Sequence, residues 1–147
     1  MREILFRAKD AESGKWIEGY YVHLHKTTYC VKEDHDRNPD NELHKIVFEQ
    51  MTDWGLPNKH LMADVLPETV GQFTGLVDKN HKRVFTGDIV KARHNENYYI
   101  CEICHCKLII HDKHGNEIDA ILQNLDWLEC EVIGNIYDNP ELLQVEK

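Results

Sequence analysis

The sequence predicts a mainly β fold, arranged as a barrel or a sandwich of short strands. Short runs of aromatic and β-branched residues recur along the chain, and these residue types favour strands. Gly, Asn and Asp separate the runs at close intervals, which is typical of strands joined by turns. No internal repeat and no low-complexity tract interrupts this pattern.

The first half of the chain contains four strand signals and one long polar segment. The strand signals are the runs at residues 4–6, 16–22, 29–31 and 45–48. A turn at Ser13-Gly14 follows the first run, and a break at residues 54–57 follows the fourth. The polar segment 32–42 offers no apolar face to bury, so we expect an exposed loop there.

The second half of the chain has more regular turns. Its strand signals are the runs at residues 69–74, 84–85, 89–93, 98–111 and 129–137. Gly75 ends the first run, and residues 78–82 join it to the second. His114-Gly115 followed by Asn116 suits a tight hairpin after the long run.

Two further local signals mark the ends of elements. Gly87 permits an unusual backbone angle, and Asp88 can accept hydrogen bonds from nearby amides as a strand begins. Asn139-Pro140-Glu141 predicts a short C-terminal helix, because Asn caps helices and Pro suits their first turn. The two leucines that follow would anchor this helix.

Length and composition fit one globular domain or two small ones. The chain has 147 residues, of which 41% are hydrophobic and 29% are charged. A polar break near residues 60–68 predicts an N-terminal β subdomain, residues 1–66, and a second subdomain, residues 67–147. A single merged domain over residues 1–147 is the alternative.

The acidic balance of the chain argues against general nucleic-acid binding. Its net charge is −9, whereas such binding needs Lys and Arg to neutralise phosphates. A local basic group is present and consists of Lys79, His81, Lys82, Arg83, Lys91 and Arg93. We interpret it as a solvated, charged turn beside a strand.

The sequence also predicts a cytoplasmic location without membrane contact. The N-terminal segment carries charges among its apolar residues, and no apolar run is long enough to cross a bilayer. The five cysteines are an odd number and do not resemble a secreted disulfide framework.

The segment CEICHC at residues 101–106 raises the question of a zinc site. The best set of four ligands is Cys101, Cys104, His111 and His114, with His105 and Cys106 nearby. Structural zinc sites usually join two ligand pairs at tight knuckles, and no Gly or Pro interrupts this segment to form one. The same stretch fits a strand whose buried side carries Ile100, Cys104, Cys106, Leu108 and Ile110. We therefore predict buried thiols and no metal site.

The acidic segment resembles a calcium-binding loop only in part. Oxygen ligands alternate as in an EF-hand at Asp34, Asp36, Asn38 and Asp40. An EF-hand also needs Gly and Glu where this chain has Pro39 and Lys45, and no flanking helix is evident. A solvated acidic loop is the better interpretation.

No arrangement of residues predicts catalysis. The ten histidines are scattered, and no nucleophile motif or phosphate-binding glycine loop is present. Five aromatic residues could line a groove, although such residues more often fill a β core: Trp16, Tyr20, Tyr21, Trp54 and Trp127. We predict no catalytic residue, no cofactor and no enzymatic activity.

Three segments of the chain resemble the YopX family. They are MREILFRAKD at the start, TVGQFTGLVDKNHKRVFTGDIVKA at residues 69–92 and EVIGNIYDNPELL at residues 131–143. The resemblance implies a protein of phages and prophages with an SH3-like β-barrel in residues 67–147, and it implies no known activity. Two departures are His81, where the family commonly has Gly, and the cysteine-rich run, which lies in a strand that varies within the family.

These observations favour a non-catalytic module that binds another protein or a second copy of itself. Open strand edges recruit other chains readily, which motivates this hypothesis. The first alternative is nucleic-acid binding through the barrel surface near residues 79–93, because similar barrels support many functions. The second alternative is a zinc-stabilised protein.

Overall fold

The computed structural model describes residues 3–91, 98–104, 107–112, 115–118 and 129–143. The chain divides into two compact units, Leu5–Val70 and a unit of Gly71–Lys147 with Met1–Ile4. Strands dominate the described residues, so the prediction of a mainly β protein is confirmed. The assignment of domains to residues 1–66 and 67–147 stays a prediction.

The unit Leu5–Val70 is built on four antiparallel strands. They are β1 (Phe6–Lys9), β2 (Trp16–His25), β3 (Glu42–Gln50) and β4 (Lys59–Asp64), in the spatial order β4-β3-β2-β1. Side chains alternate between the two faces of a strand, so one face can be apolar and the other solvated. The apolar face forms a small core of Ala8, Ile46 and Val65, against which Phe6, Ile17, Phe48 and Val70 pack.

The structure corrects two expectations in this unit and adds one strand. Residues 29–31 are not a strand, because the side-chain amide of Asn41 occupies both backbone polar groups of Thr27 and the chain leaves the ladder there. The polar segment is exposed at residues 32–38, as predicted, but Asn41 is buried. The segment also contains a short helix, α1 (Lys32–Asp36), whose first turn carries acidic residues, as the helix dipole favours. Strand β4 was not predicted.

The unit of Gly71–Lys147 with Met1–Ile4 contains a hairpin and a five-stranded antiparallel sheet. The hairpin joins β5 (Gly71–Val77) to β6 (Arg83–Phe85). The sheet has the order β10-β9-β8-β7-β11, with β7 (Asp88–Lys91), β8 (Tyr98–Cys104), β9 (Lys107–Asp112), β10 (Glu117–Ile118) and β11 (Glu131–Asn135). Its core consists of Val84, Val90, Tyr99, Cys101, Ile110, Cys130 and Val132.

Several turns of this unit follow the sequence signals. The backbone N–H of Asp112 donates to the carbonyl of Asn116, and Gly115 has a φ of +81°, so the predicted hairpin after the long run is confirmed. Gly87 has a φ of +87°, and the Asp88 carboxylate accepts a hydrogen bond of 2.8 Å from the backbone N–H of Phe85. Both signals were therefore interpreted correctly.

Other elements of this unit differ from the expectations. The run 98–111 forms two strands, β8 and β9, and β5 continues past Gly75 to Val77. The C-terminal helix is a single 3₁₀ turn, Pro140–Leu143, within the described residues. None of the sheets described closes into a barrel, so the SH3-like barrel is not confirmed.

Candidate functional site

A group of imidazoles lies where the apolar face of the four-stranded sheet ends. Strands β2 and β3 pair Tyr21 with Ile46, His23 with His44 and His25 with Glu42. Successive pairs two residues apart share one face of a sheet, so these side chains form a column on one face. We call the set Tyr21, His23, His25, Glu42 and His44 the histidine face.

One carboxylate oxygen lies between two imidazole nitrogens on this face. Oε2 of Glu42 is 3.5 Å from Nε2 of His23 and 3.4 Å from Nε2 of His44. The rings of His23 and His44 are stacked, with centroids 4.6 Å apart and planes 9° apart. The three ligand atoms all lie within 4.8 Å of one another, which makes this set a candidate metal centre.

Tyr21 connects this set to the core. Its ring lies 5.5 Å from the ring of Phe6, and its hydroxyl lies 2.5 Å from Nδ1 of His44. Burial raises the pKa of the Tyr21 hydroxyl, and the negative charge of Glu42 raises it further. The phenol therefore stays protonated at neutral pH and holds the His44 ring in place.

The ends of β2 and β3 are fixed just beyond the histidine face. The Asn41 side chain accepts a hydrogen bond of 2.9 Å from the N–H of Thr27 and donates one of 2.8 Å to its carbonyl. The backbone carbonyl of Asn41 accepts a further hydrogen bond from the N–H of Lys26. Asn41 is buried, so this contact holds the two strand ends together in the absence of a tight turn.

Sequence reasoning missed this set because it treated the histidines as scattered. The available signal was the period of two in His23-Leu24-His25 and Glu42-Leu43-His44, which places each pair on one face of a strand. The register between the two strands could not be read from the sequence, and the register brings His23 opposite His44.

The structure does not assemble the described part of the candidate zinc set that we considered and rejected from the sequence. Cys101 pairs with Ile110 across β8 and β9, whereas His111 pairs with Ile100. Neighbouring pairs point to opposite faces of a sheet, so Cys101 and His111 cannot share an ion. The side chain of Cys104, and residues His105, Cys106 and His114, lie outside what the structure describes.

Cys101 is part of the core, and its thiol does not ionise readily. Its side chain is fully buried, and burial raises the pKa of the thiol far above its ordinary value, with further contributions from Asp88 and Cys130. The predicted buried side is confirmed at Ile110 and wrong at Ile100, which is half-buried while its neighbours Tyr99 and Cys101 face the core. The cause is the hairpin between β8 and β9, which interrupts the assumed continuous alternation. The side chains of Cys104, Cys106 and Leu108 lie outside what the structure describes.

The acidic segment does not form an EF-hand loop. Asp34 and Asp36 lie on α1, where the Asp34 carboxylate faces the guanidinium of Arg37 at 3.5 Å. The Asn38 side chain donates a hydrogen bond to the backbone carbonyl of Asp34. A helical turn therefore occupies the place that the ligand loop of an EF-hand would take, where the sequence predicts a solvated acidic loop.

The basic group is partly neutralised within its own unit. Lys79 forms an ion pair with Glu131, and His81 occupies a left-handed turn with a φ of +61°. Lys82 belongs to the same turn and contributes its backbone N–H to Asp78. Arg93 lies outside the described residues.

The five aromatic residues do not form one groove in the described part of the chain. The guanidinium of Arg7 lies 4.5 Å from the ring centre of Trp16, and Tyr20 and Tyr21 point to opposite faces of β2. Trp54 is 95% exposed in the connection between β3 and β4. Trp127 lies outside the described residues.

Trp54 belongs to a second candidate surface. Strand β4 is the last strand of its sheet, and exposed apolar side chains lie on it and in the connection before it. We call the set Met51, Trp54, Leu56 and Met62 the apolar edge.

Comparison with known proteins places the chain in a family. The family model described as YopX protein matches residues 5–144. The chain belongs to the YopX family. The sequence resemblance is thereby confirmed.

One solved structure resembles this YopX chain over nearly its whole length. It is the crystal structure of protein EF1440 from Enterococcus faecalis, with 21% sequence identity and a TM-score of 0.50. The match covers 98% of this chain and 100% of that chain, and at this identity it supports the fold alone. No curated protein matches the sequence.

Among the described residues, no helix has both the length and the apolar composition needed to span a bilayer.

Proposed function

We propose that this YopX protein acts without catalysis, by self-association through the edge strand β4. The observation that carries the proposal is the position of β4 at the end of its sheet, beside the apolar edge. An edge strand presents backbone groups that can pair with another strand, and exposed apolar side chains add area to such a contact.

The direction of the backbone groups on β4 follows from its register. The N–H of Val65 donates to the carbonyl of His44, so Val65 points toward β3. Backbone groups alternate along a strand, and therefore those of Leu61 and Ala63 also point toward β3. The N–H and C=O groups of His60 and Met62 then point away from the sheet.

Two copies can satisfy these groups by one symmetric pairing. If a two-fold axis passes between the Leu61 residues of the two copies, the β4 strands form an antiparallel ladder. His60 of each copy then lies opposite Met62 of the other. Both copies then use the same surface, as a closed dimer requires. The exposed Met62 side chain of each copy would lie opposite His60 of the other copy and diagonal to the second Met62, on one face of the joined sheet. This contact would shield part of the apolar edge.

Electrostatics sets the expected salt dependence of this dimer. Each copy carries a net charge of −9, so two copies repel each other at low ionic strength. Added salt screens this repulsion and should strengthen the dimer. Nucleic-acid binding, the alternative, has the opposite dependence and weakens with salt.

Sedimentation or light scattering of the full chain over a wide concentration range tests the proposal. We expect a monomer–dimer equilibrium that shifts toward dimer with concentration and with salt. Met62→Pro removes an outward N–H without removing a bond to β3, so it should abolish the dimer while the fold persists. Met62→Ala keeps the N–H and serves as the matched control, with a dimer weaker than that of the wild type but still present.

Two outcomes would defeat this proposal. A wild-type chain that is monomeric throughout the concentration range has no such interface. A Met62→Pro variant that dimerises as tightly as Met62→Ala places the contact elsewhere. We propose a phage or prophage context for this role, which membership of the YopX family supports. We also propose a cytoplasmic location, which the cysteines support because they do not resemble a secreted disulfide framework.

A further inference from the structure

We propose that His23, Glu42 and His44 bind one divalent transition-metal ion, and the donor chemistry favours Zn²⁺. Two imidazole nitrogens and one carboxylate oxygen form a donor set that suits zinc and its neighbours better than calcium or magnesium. This site is separate from the cysteine-rich segment, and it departs from the sequence prediction that the chain has no metal site.

The first argument is the spacing of the ligand atoms. The two N···O distances of 3.5 and 3.4 Å exceed the usual length of a charge-assisted hydrogen bond, about 2.7–2.9 Å. A tetrahedral zinc ion with ordinary bond lengths separates its ligand atoms by about 3.3–3.5 Å. The carboxylate oxygen and each nitrogen already lie at the spacing that an ion between them would impose.

The second argument is the contact between the Tyr21 hydroxyl and the second ring nitrogen of His44, Nδ1. This Nδ1 lies 2.5 Å from the Tyr21 hydroxyl, and when Nδ1–H donates to that oxygen, Nε2 carries the lone pair. This lone pair faces the Glu42 carboxylate, and a cation between them converts a repulsive contact into two bonds. Histidine ligands typically donate their second ring N–H to such a partner, which orients the ring.

The strands supply the rigidity that a site needs. His23 and His44 are directly opposite in the ladder, and Glu42 lies two residues before His44 on the same face of β3. The His44 side chain is 19% exposed, whereas His23 and Glu42 are 42% and 45% exposed, so an ion can enter from solvent. The His25 ring, 5.4 Å from that of His23, or a water molecule can supply a fourth ligand.

Zinc titration of the full chain without an affinity tag tests the proposal. We expect one equivalent of zinc to bind and to raise the melting temperature of the wild type, because the ion binds only the folded site. His23→Ala and His44→Ala should each abolish stoichiometric binding and this temperature shift. The two variants complement each other because His44 is more buried, so its replacement could disturb the fold. His23 is exposed, and its replacement should remove a ligand while the fold persists.

His60→Ala is the matched control. His60 lies on the neighbouring strand, with Nε2 at 3.4 Å from Oε1 of Glu49, so it has the same kind of His–carboxylate contact without a second imidazole. This variant should bind zinc as the wild type does. Tyr21→Phe should fold and should weaken zinc binding by about ten- to a hundredfold, because it removes only the partner of Nδ1.

Cobalt distinguishes this site from one made by thiolates. We expect a Co²⁺ spectrum without the charge-transfer absorption that thiolate ligands produce. The proposal is overturned by a wild type that binds no zinc, by His44→Ala and His23→Ala variants that bind it normally, or by loss of binding in Cys104→Ser with a thiolate spectrum.

Discussion

The carboxylate of Asp78 accepts a hydrogen bond of 3.0 Å from the backbone N–H of Val132, which lies 54 positions away in the sequence. The other carboxylate oxygen accepts hydrogen bonds from the backbone N–H groups of Asn80 and Lys82, at 2.8 and 2.9 Å. Asp78 is 1% exposed. One buried side chain therefore ties the turn between β5 and β6 to strand β11.

Replacing Asp78 by Asn should destabilise the protein by about 1–3 kcal/mol at neutral pH. The NH₂ group of Asn would face a backbone N–H, and this buried N–H would lose its hydrogen-bond acceptor. The free energy of unfolding in urea measures this loss. Asp53→Asn is the control, because Asp53 is exposed and its carboxylate accepts a hydrogen bond from the N–H of the neighbouring Trp54. We expect a change within about 0.5 kcal/mol. Equal stabilities of the two variants would contradict the role assigned to Asp78.

The contribution of Asp78 should also depend on pH. Burial on its own would raise the pKa of this carboxyl, but hydrogen bonds from Val132, Lys82 and Asn80 outweigh it and hold the pKa below its ordinary value of 3.8. A group with a lowered pKa in the folded state stabilises above its unfolded pKa, and this stabilisation is lost as the pH falls through the folded value. The stability difference between wild type and Asp78→Asn should therefore be constant at neutral pH and shrink below 3.8. A difference that grows on acidification would contradict this assignment.

The turn that contains Asp78 was predictable from the sequence, whereas its partner was not. Local chemistry determines the turn at residues 78–82 and the positive φ at Gly87, and both appear in the sequence as turn residues beside apolar runs. The partner of Asp78 depends on how β11 is placed, which no local pattern encodes. Likewise, the period of two was visible around His23 and His44 separately, but their apposition depends on strand register.

The same limit explains the elements that were missed. Strand β4 carries the consecutive apolar residues Leu61, Met62 and Ala63, so its sequence does not show the alternation of apolar and polar residues that indicates a half-buried strand, although burial alternates in the structure. The prediction of the buried face of β8 was wrong because Cys104 pairs with Lys107, so the alternation of faces changes between the two strands. Even-numbered residues of β8 therefore share a face with odd-numbered residues of β9. In both cases the pairing partner, rather than intrinsic preference, decides the structure.

His81→Gly should stabilise the protein by about 1 kcal/mol. His81 has a φ of +61°, a left-handed conformation that costs about 1–2 kcal/mol for a residue with a side chain. Lys82→Gly is the matched control in the same turn. Its φ is not positive, so glycine there relieves no strain. It adds freedom to the unfolded chain and removes the Lys82 charge near Asp78, and both effects destabilise, by about 0.5–1 kcal/mol from the backbone alone. Changes of the same sign in urea unfolding would contradict the strain at His81.

Cysteine labelling should separate exposed from buried thiols. Cys30 is exposed, whereas Cys101 and Cys130 are buried in the core. We expect iodoacetamide to modify Cys30 in the native protein and to reach the other two only after unfolding, because a buried thiol neither ionises readily nor meets the reagent. Peptide mapping by mass spectrometry identifies each site. Modification of Cys101 as fast as that of Cys30 in the native protein would contradict its place in the core.

Substitution at two glycines of the four-stranded unit should destabilise the protein, but the order of Ala and Asn should differ between the two positions. A Cβ at Gly19 would lie 2.2 Å from the carbonyl oxygen of Val47, so the neighbouring strand would have to move. Gly19→Ala should therefore cost about 2–3 kcal/mol, and the larger Gly19→Asn should cost more. At Gly14 a Cβ meets open space, but φ is +68°, so Gly14→Ala should cost about 1–2 kcal/mol and Gly14→Asn less, since Asn tolerates this conformation. The free energy of unfolding in urea, measured for the four variants, checks this reversal of order. If Asn destabilises more than Ala at both positions, space rather than the backbone angle determines which residues are tolerated at position 14.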